Sequence, residues 1–167
     1  CSVPEDTSFS NGASIALLFE FEKIRIAFLG DAYPSVCVNG LRKLGYSAQD
    51  PCRVDLIKLP HHGSKHNFSD KLFQILRTQK YLLSTDGRNG KLPSKTMIAK
   101  LLCSCDTATI YCNYSWWKKS GYSSFFTEED RKKWIDTGNL KLIELSSENV
   151  SETVKSGLEL YGFGRGW

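Results

Sequence analysis

Ile24-Arg25-Ile26-Ala27-Phe28-Leu29-Gly30-Asp31-Ala32 and Val54-Asp55-Leu56-Ile57-Lys58-Leu59-Pro60-His61-His62-Gly63-Ser64 are the two stretches on which the fold turns. Each is a short apolar run that stops at residues suited to an abrupt change of direction, Gly30-Asp31 in the first and Pro60 to Gly63 in the second. Runs of this length bounded by such signals read as strands buried on at least one face. Upstream, Ser14 to Phe21 is a second apolar run joined to Ile24 through Glu22-Lys23, which predicts a tight antiparallel hairpin. Downstream of each strand the apolar spacing lengthens to that of a helix: Val38, Leu41 and Leu44 after Pro34, closed by Gly45, and Leu72, Phe73 and Leu76 after an N-cap at Ser69.

The same alternation continues. Tyr81 to Thr85 reads as a strand, followed by the Asp86-Gly87 turn and the Asn89-Gly90 loop. Pro93-Ser94 opens a helix with Met97, Ile98, Leu101 and Leu102, and Thr107 to Cys112 is strand-like. Thr127-Glu128-Glu129-Asp130 is a helix start with Asp130 in the acidic position of a capping box, and Leu140 to Leu145 is the last strand. Cys1 to Gly12 reads as loop, and the tail with Gly162, Gly164 and Gly166 as a loose terminus. The expected fold class is α/β, a mixed sheet with flanking helices, in a single domain over 1–167.

The 167 residues are 41% hydrophobic and 24% charged, the balance of a globular protein large enough to bury its own core. No apolar run approaches a membrane span and no signal-like segment opens the chain, so no membrane partner and a cytoplasmic location are expected. The net charge of +4 is a mild bias, compatible with a phosphate-bearing substrate or nucleic acid without demanding one. The six cysteines are scattered, with Cys103 and Cys105 spaced C-x-C rather than as a zinc knuckle, and read as free thiols. The chain opens at Cys1 rather than Met, which suggests residues upstream.

Chemistry concentrates in the two loops. One strand delivers the carboxylate of Asp31 and another delivers the imidazoles of His61 and His62, and loops at strand carboxyl ends are where open α/β sheets hold their sites. Carboxylate plus imidazole suits Zn²⁺, Mn²⁺ or Fe²⁺, and Gly30 and Gly63 would let backbone approach a metal. Neighbouring side chains diverge, so one histidine of the pair is expected to point inward and the other outward. His66 reads as an exposed loop residue, Trp116-Trp117-Lys118-Lys119 as a loop anchored by buried indoles rather than a base-stacking surface, and Glu128 to Asp130 as helix-start carboxylates. No cysteine is spaced to pair with a histidine as a nucleophile.

Taken together, Asn11 to Phe21, Ile26 to Ala32 and Val54 to Ser64 resemble metallo-β-lactamase-fold hydrolases, and more narrowly the branch found at the C-terminus of bacterial DNA-uptake competence channels and in stand-alone relatives. Tyr81-Leu82-Leu83-Ser84-Thr85-Asp86-Gly87 fits the next strand and turn of that branch, so the resemblance runs from residue 11 to about 102. It implies an αββα sandwich of which this chain is mainly the C-terminal half, part of a larger domain. It also implies a pair of divalent ions, two Zn with Mn as the substitute, bridged by Asp31 and ligated by His61, with His62 replacing it if the loop turns the other way. Asp31 and His61 are then the catalytic residues, and metal-bound water is the nucleophile, on a phosphodiester or nucleotide.

The departures from that family are equally specific. Its His-x-His-x-Asp-His motif is absent, no histidine lies upstream of Asp31, and Leu92 stands in Gly90-Lys91-Leu92-Pro93 where the branch carries a histidine. That leaves far fewer donors than the roughly six or seven a pair of ions uses. The expectation is therefore a hydrolase only in company with a missing N-terminal half or a partner chain, and inactive by itself. The competing expectation is a degenerate, non-catalytic binding module on the same scaffold. A half sandwich would leave Ile15, Leu17, Phe19 and Phe28 in need of a partner. Arg88, Lys91, Lys95 and Lys65 are candidate cations at the mouth of the site.

Overall fold

The computed structural model describes residues 3–87, 92–118 and 125–145. Its centre is a six-stranded sheet in the order β1-β2-β4-β6-β7-β8. The strands are β1 (Leu17–Phe21), β2 (Ile24–Phe28), β4 (Leu56–Lys58), β6 (Lys80–Leu83), β7 (Ala108–Cys112) and β8 (Leu140–Glu144). β1 and β2 form the predicted antiparallel hairpin, with Leu17 opposite Phe28 and Phe21 opposite Ile24, and every later pair is parallel. Two short strands, β3 (Cys52–Arg53) and β5 (Leu76–Arg77), pair separately.

Helices α2 (Pro34–Lys43), α3 (Asp70–Ile75) and α4 (Lys95–Ser104) fill the first three parallel crossovers. A short α5 (Glu128–Asp130), capped as expected by reciprocal Thr127 and Asp130 bonds, runs into one wide turn over Arg131–Ile135 before β8. A four-residue α1 (Phe9–Gly12) lies in the opening segment that the sequence alone reads as loop.

From β2 onward each parallel strand is laid on the same side of the one before it. Parallel crossovers are right-handed, so steps in one constant direction put every helix on one face of the sheet. Burial follows that rule. Ala27, Ile57, Tyr81 and Ile110 are neighbours in register and are all buried, against Val38, Leu41, Leu72, Phe73, Met97, Ile98 and Leu101 of the helices. Trp116, Phe125, Phe126 and Trp134 extend the same core beside β7 and β8.

The row on the opposite face is Leu17, Phe28, Lys58, Leu82, Tyr111 and Ile143. No helix covers it. Leu17 is 54% exposed, Phe19 43% and Phe28 39%, and Ile15, just before β1, is 84% exposed. The side chains expected to want a partner stand bare in this chain.

Left-handed Gly45 closes α2 as expected, with Leu44 at the C-cap and 65% exposed. One helix boundary differs from the sequence reading. Leu76 belongs to β5 rather than α3, since the chain extends at once after Ile75 to pair with Cys52. Among the described residues Cys37, Cys52, Cys103, Cys105 and Cys112 are free thiols, and no helix is long and apolar enough to cross a membrane. Arg88, Lys91, the Asn89-Gly90 loop and the glycine-rich tail lie outside the described residues.

Candidate functional site

β2 and β4 are parallel neighbours, so the loops that leave their carboxyl ends start side by side, with Phe28 in register with Lys58. The loops then join directly: the His61 N–H donates to the Gly30 carbonyl at 3.0 Å. Gly30 has φ +55, and a Cβ there would stand 2.6 Å from Ser14 Oγ. That hydroxyl needs the space because it accepts the Asp31 N–H at 2.9 Å. Glycine here makes room for the close approach of Ser14.

The second loop is wound left-handed for three consecutive residues: His61 at φ 42, ψ 51, His62 at φ 53, ψ 27, and Gly63 at φ +83. Left-handed backbone costs a residue with a Cβ about 1–3 kcal/mol and persists where surroundings enforce it. Here Pro60 and Gly63 enforce it. The carbonyl of Gly63 accepts the Ser94 N–H at 2.9 Å, and a Cβ on Gly63 would lie within 3.1 Å of Pro93, Met97 and Leu83.

The twist parts the two imidazoles, as expected for neighbours, with ring centroids 6.3 Å apart at 69°. Half-buried His61 has Nδ1 at 3.0 Å from Asn67 Oδ1 and 3.3 Å from Asp6 Oδ2. The more exposed His62 donates from Nδ1 to the Ser84 carbonyl at 2.6 Å. His66, expected to be an exposed loop residue, is half-buried and donates from Nδ1 to the Pro4 carbonyl at 2.9 Å. A carbonyl only accepts, so His62 and His66 both keep an unprotonated Nε2 when neutral.

Asn67 is fully buried and its Nδ2 donates to the carbonyls of Asp31 at 3.0 Å and Ala32 at 3.4 Å. Asp31 is thus held by its backbone on both sides, while no described residue donates a hydrogen bond to its carboxylate. The charge of Asp31 acts on Lys58, whose pKa is nevertheless lowered because burial penalises the ammonium. The opening segment closes over the loops through Asp6. Its pKa is lowered by the Ser8 N–H, then by the Asn11 amide at 2.7 Å, with a smaller contribution from the charge of His61.

Asp31, His61 and His62 therefore come to one end of the sheet, on loops bonded to each other. They do not come together as a ligand set: among the described residues no group of three or more His, Cys, Asp or Glu side chains is placed to hold a metal ion. The donors in hand do not fit a resident metal pair by themselves. Of the candidate cations, Lys65 is exposed, and Lys95 is tied to Asp130 rather than presented at the mouth. Trp116 is fully buried and Lys118 pairs with Glu144 at 3.2 Å, so this stretch anchors a loop. A polar cleft of about 640 Å³ lies elsewhere, at the amino ends of the strands between Arg53, Arg77 and Asp106.

Sequence reading missed Asp6 and Asn67. No residue type marks either as part of the site, because each also depends on a distant contact, Asn67 on Asp31 36 positions away and Asp6 on His61 55 positions away. The detectable signal was the His-His-Gly run after proline, a left-handed pattern unusual for residues with a Cβ. Compared with models of protein families, with curated proteins and with solved structures, the chain matches none.

Proposed function

We propose that this chain is the C-terminal half of a metal-dependent hydrolase of the metallo-β-lactamase kind. In this reading it carries Asp31 and the His61–His62 pair and acts only when an N-terminal half or a partner chain lies on the open sheet face, completing an αββα sandwich. The observation that carries the reading is the loop of residues 60–64. A strained left-handed turn presents two imidazoles next to an aspartate loop, and oxygen acceptors hold each ring through Nδ1. Holding Nδ1 in this way leaves Nε2 as the donor atom, which is how ligating histidines are oriented in metal sites.

In this reading the remaining ligands come from the covering layer, since the donors among the described residues fall short of a set. Zn is the ion best suited to imidazole and carboxylate, with Mn as the substitute. A phosphodiester or nucleotide is the substrate class, with Lys58 and Lys65 as the cations that flank the 60–64 loop in sequence. The five free thiols among the described residues suit a cytoplasmic setting. The absence of a three-donor group among the described residues, together with Leu92 in place of a histidine, supports a second reading: a binding module that keeps the scaffold without the chemistry.

The test compares the natural full-length protein with the 167-residue chain on a chromogenic phosphodiester and on single-stranded DNA. The hydrolase reading expects EDTA-sensitive turnover by the full protein, its loss in Asp31→Ala, and none by the chain alone. Turnover absent from the full protein in Zn and in Mn, or indifferent to Asp31→Ala, overturns it in favour of the binding module.

A further inference from the structure

We infer that Asn67 is the positioning residue of this site: it fixes His61 as the Nδ1–H tautomer and ties the histidine loop to the aspartate loop through one buried amide. The backbone carbonyls of Asp31 and Ala32, at 3.0 and 3.4 Å from Asn67 Nδ2, have no hydrogen to give. The NH₂ end of the amide must face them, because the reverse orientation would set Oδ1 against two further acceptors. Oδ1 is thereby turned to His61 Nδ1 at 3.0 Å, and as an acceptor it requires the imidazole proton on that nitrogen. Nε2 of neutral His61 is then a bare lone pair.

Asn67 is fully buried, so neither end of the amide has water as a substitute partner. Asp6 Oδ2 lies farther from the same nitrogen, at 3.3 Å, and its charge also favours a proton there, so Asn67→Leu and Asp6→Asn together separate its part from that of Asn67. Asn11 Nδ2 also approaches His61 Nδ1, at 3.4 Å, but a donor facing an N–H forms no bond, so its hydrogen belongs to Asp6. One side chain thus reads the position of Asp31 through its backbone and sets the protonation pattern of His61 through its ring.

The assignment deepens the hydrolase reading, which gives a bare Nε2 its use, but its test needs no metal and no substrate. With histidine labelled by ¹⁵N in the 167-residue chain, long-range ¹H–¹⁵N spectra at one pH, about two units above the ordinary histidine pKa, distinguish the protonated ring nitrogen from the bare one. In the native chain His61 is expected to carry its proton on Nδ1. Asn67→Leu is expected to make His61 populate both tautomers, while His62 and His66, held by the carbonyls of Ser84 and Pro4, remain Nδ1–H. Asp6→Asn is expected to leave all three unchanged, and it covers the case in which Asn67→Leu does not fold.

A native His61 with its proton on Nε2 overturns the assignment, as does an Asn67→Leu spectrum identical to the native one. A His61 tautomer that changes in Asp6→Asn transfers the role to Asp6 and overturns it equally. These outcomes are separate from failure of the hydrolase reading, which shows only in metal content and turnover.

Discussion

The two faces of the one sheet differ more than any two segments of its sequence. On the helix side Ile57, Leu83, Ile110 and Cys112 are completely shielded, and the burial pushes the Cys112 thiol up to about 12. On the other side Leu17, Phe19, Phe21 and Phe28, no less apolar, remain in contact with solvent. Strand composition does not make the difference, since both faces come from the same strands by alternation. Connection order makes it: parallel crossovers that always step the same way place all helices on one side and none on the other. The site loops belong to the covered side, braced by Pro93, Met97 and Leu83, and the proposed hydrolase reading draws its further ligands from a layer on the bare side.

The sharpest way to break this contrast is a matched pair of truncations. Ile110→Ala opens a cavity in packed core and is expected to cost about 2–4 kcal/mol of unfolding free energy in urea titration. Phe19→Ala removes a half-exposed ring and is expected to cost below about 1 kcal/mol. Equal losses would mean that the bare face is covered in solution by self-association. Gly63→Ala probes the link between the faces and the site. With φ +83 and Pro93 Cβ at 2.9 Å from the new methyl, it is expected to destabilise by about 1–3 kcal/mol and to disturb the His61 and His62 resonances together. A neutral effect would show that the left-handed loop is not enforced by its floor.

The smallest expected effect concerns the opening segment. Asp6 has a folded pKa below its ordinary 3.8, so its contribution is present above 3.8 and is lost as pH falls through the lower folded value. Hydrogen exchange at Ser8, whose N–H donates to Asp6 at 2.8 Å, should accelerate there before the core strands respond. Exchange at Ser8 that stays in step with Ile110 would mean that Asp6 does not hold the segment.

Much of this was legible in the sequence. The hairpin, the strand–helix alternation, the Thr127–Asp130 box and the convergence of the Asp31 and His61 loops all follow from local spacing, because parallel neighbours bring successive strand ends together. The one-sided helix layer was legible only as a consequence of the family resemblance. Asn67 and Asp6 were illegible for a physical reason. A buried amide earns its place through acceptors 35 and 36 positions away, and nothing in its neighbours Lys65, His66 and Phe68 records that. Gly30 was legible as a turn but not in its purpose, which is room for Ser14.

The central claim is that these two loops form half of a metal site, ordered in advance by hydrogen bonds yet short of ligands. Its most direct test is the metal content of the 167-residue chain after incubation with Zn²⁺ and desalting, measured by plasma mass spectrometry beside intact mass. The account predicts well under one equivalent in the native chain, and the same in Asp31→Ala. About two equivalents retained, falling in Asp31→Ala, would contradict it, because a complete two-ion site would then exist within this chain.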